Sequence, residues 1–262
     1  MKYSFMSFST PGLDFDQILK VAKLYGYNGF EPRIDAGHKH NIESTSSKTA
    51  LREAKLKAAE AGIKICCIAT SCNFSNPDIT EANIESAKRA LDLAAEVEAP
   101  AIRVFGGFIP EGVSREKSRD LVINAMIKLA PIAADRNVSI CIETHDSWCD
   151  PAQVADIVRN VNHPNVAVNW DIMHPVLREG YTIEKSFNTL KPWIKHVHVH
   201  DGTFENDKLE LKPIGQGSVD HKAAINLLKD LGYNGFISGE WIDWEPYDIH
   251  LPREIATLKS YE

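Results

Sequence analysis

The chain has 262 residues, of which 44% are hydrophobic and 25% charged, a composition typical of globular proteins rather than of disordered, collagen-like or coiled-coil chains. Its 29 lysines and arginines stand against 36 aspartates and glutamates, and the net charge of −7 disfavours non-specific binding to nucleic acid. No stretch of about 18 apolar residues predicts a membrane span, and residues 1–10 lack the apolar run of a signal peptide, so we expect a cytoplasmic protein.

Short apolar or β-branched segments alternate with long amphipathic segments along the whole chain. Helical periodicity is clearest at 46–61, 79–97, 115–135 and 220–231. Alternation of this regularity is typical of βαβ units and a parallel sheet. The eight segments that are predicted to be strands are 3–9, 29–34, 63–70, 101–106, 138–145, 166–172, 194–200 and 235–241.

Local signals agree with these boundaries. An aspartate followed by a glutamine three positions later, at 14–17, predicts a capping box, and Asp150 before Pro151 predicts a second helix start. The pentapeptide GYNGF occurs at 26–30 and again at 232–236, which predicts the same helix-to-strand turn before the second and eighth strands.

The number and order of the strands predict the fold class. No linker rich in proline, glycine or serine divides the chain, so eight strands in one alternation predict a single α/β TIM barrel, (β/α)8, as one domain over residues 1–262. A doubly wound open sheet is the alternative, but neither GxGxxG nor GxxxxGK[ST] follows any predicted strand.

Four consecutive predicted strands, the fifth to the eighth, carry Glu143, Asp171, His198 and Glu240 near their carboxyl ends. The first two spacings, 28 and 27 residues, match one βα unit, and the third is longer because residues 202–217 are expected to be an inserted loop. Barrel strands converge at their carboxyl ends, where crowded carboxylates favour a bound divalent cation. Oxygen-rich ligation with one nitrogen suits Mn²⁺ or Mg²⁺, with Co²⁺ and Zn²⁺ as alternatives.

A resemblance to a known family is carried by Glu143, by the segment Asp171-Ile-Met-His174, by the HVHVHD sequence and by the closing GFISGEW. These short motifs resemble the sugar phosphate isomerase/epimerase family of xylose isomerase-like TIM barrels. Members of that superfamily include ketose 3-epimerases, hydroxypyruvate isomerase, inosose dehydratase and the endonuclease IV type of DNA repair enzyme. The resemblance covers nearly the whole chain, although most of its motifs follow residue 138.

The resemblance implies a ligand set and roles. Glu143, Asp171, His198 and Glu240 would hold the metal ion, and His174 would contact a substrate oxygen. The implied activity is isomerisation or epimerisation of a small sugar or keto-acid through an enediolate, with Glu143 and Glu240 as the acid/base pair. The expected partner is this small substrate and neither nucleic acid nor a membrane, and barrels of the family also form homo-oligomers.

Two alternatives stay open. Dehydration of a keto-polyol such as an inosose begins with the same proton abstraction beside a carbonyl, so the sequence hardly separates a lyase from an isomerase. An abasic-site endonuclease is the remote alternative, because the segment IKICCIAT in the third strand offers none of the histidines that its zinc ions need.

Side chains near the predicted barrel mouth are candidates for substrate contact. His145, Trp148 and Trp170 are predicted to line a sugar pocket, with ordinary rim packing as the alternative. Arg103 and Arg33 could reach a phosphate or carboxylate of the substrate, or they could be solvated.

Several other residues bear on which substrate binds and on what surrounds the site. Cys149 stands where the epimerases carry a further glutamate that holds the substrate. This departure counts against assigning a ketose as the substrate. Glu31 is expected beside the metal ligands or paired with a nearby arginine. His163 and His221 are expected at the surface, and the GQG sequence at 215–217 is interpreted as a turn.

Overall fold

Parallel strands form a closed barrel at the centre of the protein, in a computed structural model that describes residues 1–205 and 208–262. Most of these strands are short and fully buried, as expected for a sheet that is covered by helices. The strands are β1 (Lys2–Met6), β2 (Gly29–Glu31), β3 (Lys64–Ile65), β4 (Ile68–Asn73), β5 (Ala101–Phe105), β6 (Ser139–Glu143), β7 (Val166–Asp171), β8 (Ile194–Val199), β9 (Asp201–Glu205), β10 (Lys208–Lys212) and β11 (Phe236–Gly239).

The hydrogen-bonded order of the barrel strands is β3-β2-β1-β11-β8-β7-β6-β5-β4. β3 and β4 are the two halves of the predicted third strand, and the barrel closes where Arg33, just after β2, pairs with Ala69 of β4. Counting β3 and β4 as one, the barrel has the eight parallel strands that the sequence predicted. The fold class, a single α/β TIM barrel, is therefore confirmed.

Helices follow the strands and cover the outside of the barrel. All four segments with clear helical periodicity are helices, within two residues of the predicted bounds. No described helix is both long and apolar enough to cross a membrane. The α-helices of the described residues are α1 (Phe15–Tyr25), α2 (Lys48–Ala61), α3 (Thr80–Glu96), α4 (Arg115–Asp135), α5 (Pro151–Val161), α6 (Met173–Glu179), α7 (Ile183–Leu190), α8 (His221–Asp230) and α9 (Tyr247–Ser260).

The predicted capping signals form as expected. The Asp14 carboxylate accepts the N–H of Gln17 at 2.8 Å, and the Gln17 side chain accepts the N–H of Asp14 at 3.0 Å. In the GYNGF repeats, Gly26 and Gly232 have φ of 78° and 71°, a left-handed conformation that favours glycine. In each repeat the tyrosine N–H then donates to the carbonyl five residues earlier, at 2.9 Å. The repeat is thus one helix-ending turn used twice.

The prediction of an inserted loop at 202–217 is wrong for most of that segment. β9 and β10 pair as an antiparallel hairpin beside the barrel mouth. The GQG sequence does form a turn, and its glycine N–H groups face the buried carboxylate of Asp201. That carboxylate accepts the N–H groups of Gly202, Gly215, Gly217 and Val219 at 2.9–3.2 Å.

The surface position expected for His221 is also wrong. His221 begins α8 but is only 1% exposed. Its nitrogens lie 3.0 Å from the carbonyl oxygen of Val219 and 3.1 Å from that of His200. The ring therefore ties the start of α8 to the end of β8, whereas a helix start in the sequence gave no sign of this burial.

Candidate metal centre

Four side chains with metal-binding atoms meet at the carboxyl ends of β6, β7, β8 and β11. Each of the four residues offers one ligand atom, and these four atoms all lie within 4.8 Å of one another. Three of the side chains are fully buried, and the fourth, Glu240, is 5% exposed. The structure therefore brings together the predicted set, while the role of these residues as ligands stays a prediction. The set consists of Glu143, Asp171, His198 and Glu240.

The ring of His198 is held between carboxylates on both of its nitrogens. Nδ1 lies 2.7 Å from Oε1 of Glu143 and 3.2 Å from Oε2 of Glu240. Nε2 lies 3.1 Å from Oε1 of Glu31, whose other oxygen is 2.8 Å from Nε2 of His196. Burial lowers the pKa of His198, but the surrounding carboxylates raise it well above its usual range. Nδ1 is thus the nitrogen that faces the other candidate ligands.

Asp171 is fixed by donors on both of its oxygens. Oδ1 accepts the backbone N–H groups of Met173 and His174 at 2.8 and 3.0 Å, because α6 begins directly after β7. Oδ2 lies 2.8 Å from Nε2 of His200. Burial raises the pKa of Asp171, but the nearby His200 and His174 rings and these hydrogen bonds hold it well below its usual range. The carboxylate is therefore ionised.

Arg103 lies beneath the two glutamates rather than in solvent. Its side chain is 1% exposed, and Nε lies 3.3 Å from Oε2 of Glu143 while Nη2 lies 4.0 Å from Oε1 of Glu240. Nη1 donates to the carbonyl of Thr70 at 2.8 Å. Burial lowers the pKa of Arg103, but the two glutamates raise it above its usual value. The solvated alternative for Arg103 is thus excluded.

The residues present fit a divalent cation. Oε2 of Glu143 and Oε2 of Glu240 are buried and accept no hydrogen bond from the described residues. An unsatisfied buried carboxylate oxygen is costly, and several buried carboxylates repel one another. A cation between these oxygens and Nδ1 of His198 would relieve both problems. The buried acidic groups at this site are Glu31, Glu143, Asp171 and Glu240, and the buried arginine beside them is Arg103.

A cavity of about 210 Å³ borders this set, and Glu240 is the member that lines it. His145 and His174, both predicted as substrate contacts, lie in its wall with ring centroids 4.3 Å apart. A concave cavity of this kind suits a small ligand. Its full lining is His145, His174, His200, Leu209, Leu211, Glu240 and Ile242.

The pKa values of His145 and His174 are shifted in opposite directions. Burial lowers the pKa of His145, but its hydrogen bond to Asp146 and the charge of Glu143 raise it to about 9. Burial lowers the pKa of His174 to about 4, against the opposing charge of Asp171. At neutral pH His145 is therefore protonated and His174 is neutral.

The two tryptophans do not line this cavity. Trp170 points outward, since Asp171 beside it points inward, and its indole N–H donates to Ser186 of α7 at 2.9 Å. Trp148 is 1% exposed, and its indole N–H donates to Ser75 at 2.8 Å. A Cβ added at Gly106 would lie 2.3 Å from the Trp148 ring. Both tryptophans therefore pack against the protein, and the expectation that they line a sugar pocket is corrected.

The structure also shows contacts and lining residues that the sequence did not predict. His200 lines the cavity and holds Asp171, although only its place in the HVHVHD alternation hinted at an inward direction. Glu31 pairs with histidines and not with an arginine. Leu209, Leu211 and Ile242 form an apolar wall that no motif indicates, because two of them come from the hairpin that was expected to be a loop.

Comparison with known proteins relates the whole chain to one family. A model of the xylose isomerase-like TIM barrel family matches residues 19–260. The 3-dehydroshikimate dehydratase of Bacillus anthracis is 24% identical over 279 residues, which cover 99% of this chain and 97% of that protein. The inosose isomerase of Bacillus licheniformis is 27% identical over 160 residues, which cover 56% of each chain.

A solved structure shares the fold. The D-psicose 3-epimerase with D-tagatose from Clostridium cellulolyticum H10 superposes with a TM-score of 0.82. The two chains are 16% identical, and the superposition covers 100% of this chain and 99% of the epimerase. At this level of identity the likeness concerns the barrel architecture and not the substrate.

Proposed function

The chain belongs to the xylose isomerase-like TIM barrel family, and from this membership we propose that it is a divalent-metal-dependent isomerase or epimerase of a small sugar or keto-acid. The observation that carries the proposal is the set of four converging ligand-type side chains, one of which, Glu240, lines a small cavity. Two of their carboxylate oxygens lack hydrogen-bond partners among the described residues, which supports a bound cation.

Glu143, Asp171, His198 and Glu240 would hold the cation, which is Mn²⁺ or Mg²⁺ in our proposal because three of the four ligands are carboxylates. When bound, the cation polarises the substrate carbonyl and so acidifies the neighbouring C–H group. The remaining steps of the reaction are assigned to side chains of this chain.

Glu240 and Glu143 are proposed to move the proton. Glu240 lines the cavity, and burial raises its pKa, but the adjacent His198 ring and the charge of Arg103 lower the pKa to about 2. It is therefore ionised at neutral pH and able to accept a proton from carbon. Arg103 would keep both glutamates in place through the contacts with Glu143 and Glu240.

His174 and His145 are proposed to bind the substrate oxygens. Each lies in the cavity wall beside Glu240, where a ring nitrogen can donate to an oxygen whose charge grows as the C–H proton leaves. Return of the proton to the same carbon on the other face gives an epimer. Return to the neighbouring carbon gives an isomer.

Dehydration of a cyclic or open-chain keto-polyol is the second candidate. The observation that favours it is the match to a 3-dehydroshikimate dehydratase along 99% of this chain. Loss of a hydroxyl group needs a proton donor beside the leaving oxygen, and His145, protonated at neutral pH, could supply it. Glu240 would remove the first proton in both reactions.

Proton NMR in deuterated water tests the proposal and separates the two candidates. The protein is incubated with Mn²⁺ and a panel of ketoses, tartronate semialdehyde-like acids, inososes and 3-dehydroshikimate. An isomerase or epimerase exchanges one carbon-bound proton and keeps every hydroxyl, whereas a dehydratase gives a product with one water fewer. No exchange and no product across the panel, with metal bound, would count against both.

Glu240→Gln is the matched variant for this experiment. We expect it to lower proton exchange by at least about 100-fold, because the amide cannot accept the proton. Glu116→Gln, an exposed change on α4, is the control and should keep full activity. Full activity in a folded Glu240→Gln protein would remove Glu240 from the acid/base pair.

A further inference from the structure

Arg33 follows β2, and its side chain points into the barrel. Glu31, two positions earlier, contacts the inward-pointing ring of His198, and side chains two positions apart on a strand share a face. Strand pairing gives the same direction, because Arg33 pairs with Ala69 of β4, which in turn pairs with the inward-pointing Arg103 of β5. Arg33 therefore lies in the barrel interior, closer than Glu31 to the carboxyl ends of the strands and so to the mouth.

Two hydrogen bonds hold the guanidinium of Arg33 at the mouth. Nη1 donates to the carbonyl of Ile34, and Nη2 donates to the hydroxyl of Ser71. Ser71 lies two residues beyond Ala69, toward the carboxyl end of β4, and is exposed. A guanidinium has five N–H groups, so three are left for a ligand.

Arg33 is half-buried, yet it forms no ion pair with a carboxylate of the described residues. The carboxylate of Asp35, two positions later, instead accepts the N–H and the hydroxyl of Ser44 at 3.1 and 2.9 Å. A partly desolvated charge without a counter-charge is unfavourable, so Arg33 is suited to an anionic ligand. The other buried or half-buried arginines do pair with carboxylates, and they are Arg103, Arg119, Arg136 and Arg253.

The charges around Arg33 also favour an anion. Burial and the nearby charge of Arg103 lower the pKa of Arg33 to about 10, and the charges of Asp35 and Glu240 oppose this only in part. The guanidinium is still protonated at neutral pH, and a bound anion would stabilise it. Since the charge of Glu240 reaches Arg33, the guanidinium lies near the candidate metal centre.

Arg33 lies across the barrel from part of that centre. Three strands separate β2 from β7 in either direction around the barrel when β3 and β4 are counted as one. β7 carries Asp171, and His174 follows it in α6. A ligand between these two sides of the mouth therefore contacts the metal centre at one end and Arg33 at the other.

We propose that Arg33 is a specificity-determining residue, which binds a carboxylate at the end of the substrate that lies away from the metal centre. The planar guanidinium matches the two oxygens of a carboxylate through parallel N–H···O bonds. A carboxylate has the single negative charge that one unpaired guanidinium offsets, whereas a phosphate dianion needs a second cation, and Arg103 already faces two glutamates. The inference rests on the proposed function and narrows its substrates to keto-acids.

Two acids and their neutral methyl esters test the carboxylate site. Shikimate is a cyclic polyol acid and levulinate an open-chain keto-acid, and in both the carboxylate is remote from the oxygens that can reach the cation. The metal-loaded protein is titrated with all four compounds by calorimetry. We expect each acid to bind at least about tenfold more tightly than its ester, the value of a hydrogen bond to a charged group. Equal affinities in both pairs, or no binding of either acid, would overturn the inference.

Variants of Arg33 assign the preference to this side chain. Arg33→Gln should bind the esters as the unchanged protein does and the acids no more tightly than the esters, whereas a purely structural role would weaken both alike. Arg33→Lys keeps the charge but loses the planar fork, and it should keep a preference of about threefold, in the range of a simple ion pair. Arg159→Gln, an exposed change on α5, is the control and should keep the full preference.

Melting temperatures identify a variant that fails to fold, in which case Arg33→Lys decides. An undiminished preference for the acids in a folded Arg33 variant would overturn the inference.

Proton exchange separates a failure of this inference from a failure of the proposed function. If a neutral ketose or inosose exchanges a proton, and Arg33→Gln leaves both that rate and the acid preference unchanged, the proposed function stands and the inference fails. If the acids bind through Arg33 but no compound of the substrate panel exchanges a proton, the carboxylate site stands and the proposed function fails.

Discussion

The buried pair of His198 and Glu31 illustrates how one side chain can prepare another for a metal ion. Glu31 is fully buried, and both of its oxygens lie within 3.2 Å of Nε2 of His198. When His198 binds a metal ion through Nδ1, the Glu31 carboxylate at Nε2 fixes the tautomer in which Nδ1 carries the lone pair. It also makes that lone pair more basic. Glu31 is thus a positioning residue for the candidate ligand His198.

We predict that Glu31→Gln lowers the affinity for Mn²⁺ by about 10- to 100-fold, the usual effect of losing such a partner. The amide has nearly the same shape but offers only one acceptor and no charge to His198. Isothermal titration of the metal-free protein with Mn²⁺ measures the dissociation constant without any need for substrate. Glu116→Gln is the control, and an unchanged dissociation constant in Glu31→Gln would refute the positioning role.

Residue direction was predictable where it followed from strand geometry. Side chains two positions apart on a strand share a face, so the HVHVHD sequence indicates one face for His196, His198 and His200, and all three rings are buried. Glu31, the partner of the His196 and His198 rings, was not predictable, because it lies 165 positions away from His196 along the chain. Only barrel closure brings β2 and β8 to opposite sides of one interior.

At the level of elements, the hairpin formed by β9 and β10 depends on one buried carboxylate. Both oxygens of Asp201 accept two backbone N–H groups each, from the segment that follows the hairpin and from Gly202. Asp201 is fully buried, so its carboxylate depends on these donors in place of water. The carboxylate therefore joins the hairpin to the turn before α8, and it does so beside the apolar cavity wall of Leu209 and Leu211.

We predict that Asp201→Asn destabilises the protein by about 2–4 kcal/mol, because the amide NH₂ would face N–H donors and leave them unsatisfied. Urea unfolding followed by circular dichroism measures the loss. Cleavage in the hairpin by a protease should also become faster, since the hairpin loses its attachment. Asp230→Asn, at the end of α8, is the control. A loss below about 1 kcal/mol would show that the carboxylate is not needed.

The hairpin also shows why some elements escaped prediction. The barrel strands and main helices follow from hydrophobic period and capping signals, which are local. The segment 202–217 contains Pro213 and three glycines, so its composition resembled that of a loop. Its strands pair mainly with each other and bury little, as the exposed residues of β10 show, and a strand of that kind leaves no strong apolar pattern.

At the scale of the whole molecule, buried histidines outside the metal centre link stability to pH. Burial lowers the pKa of His40, His221 and His250 below the ordinary value for histidine. His40 has the largest clear effect, with a pKa lowered to about 4. Its Nδ1 accepts the N–H of Ile42 at 3.0 Å, while Nε2 lies 3.2 Å from the carbonyl oxygen of Arg33. Protonation at Nδ1 would remove the acceptor that Ile42 needs.

The sign of the effect follows from this depressed pKa. The unfolded chain takes up the proton near the ordinary pKa of 6.5, whereas the folded protein resists it down to about 4. The stability that neutral His40 contributes is therefore complete above pH 6.5 and falls as the pH decreases toward 4. Between pH 7.5 and 5 we expect His40 alone to account for a loss of about 2 kcal/mol in the free energy of unfolding.

His40→Asn tests this contribution, because the Asn carbonyl can still accept the N–H of Ile42 but does not titrate. We predict that the variant is less stable than the unchanged protein at pH 7.5, yet loses about 2 kcal/mol less between pH 7.5 and 5. Urea unfolding at a series of pH values gives both quantities from the same curves. Thr45→Asn, an exposed change in the same loop that alters no titrating group, is the control and should follow the pH profile of the unchanged protein. If His40→Asn shows the same slope as the unchanged protein, acid sensitivity arises elsewhere, and His221 and His250 become the next positions to replace.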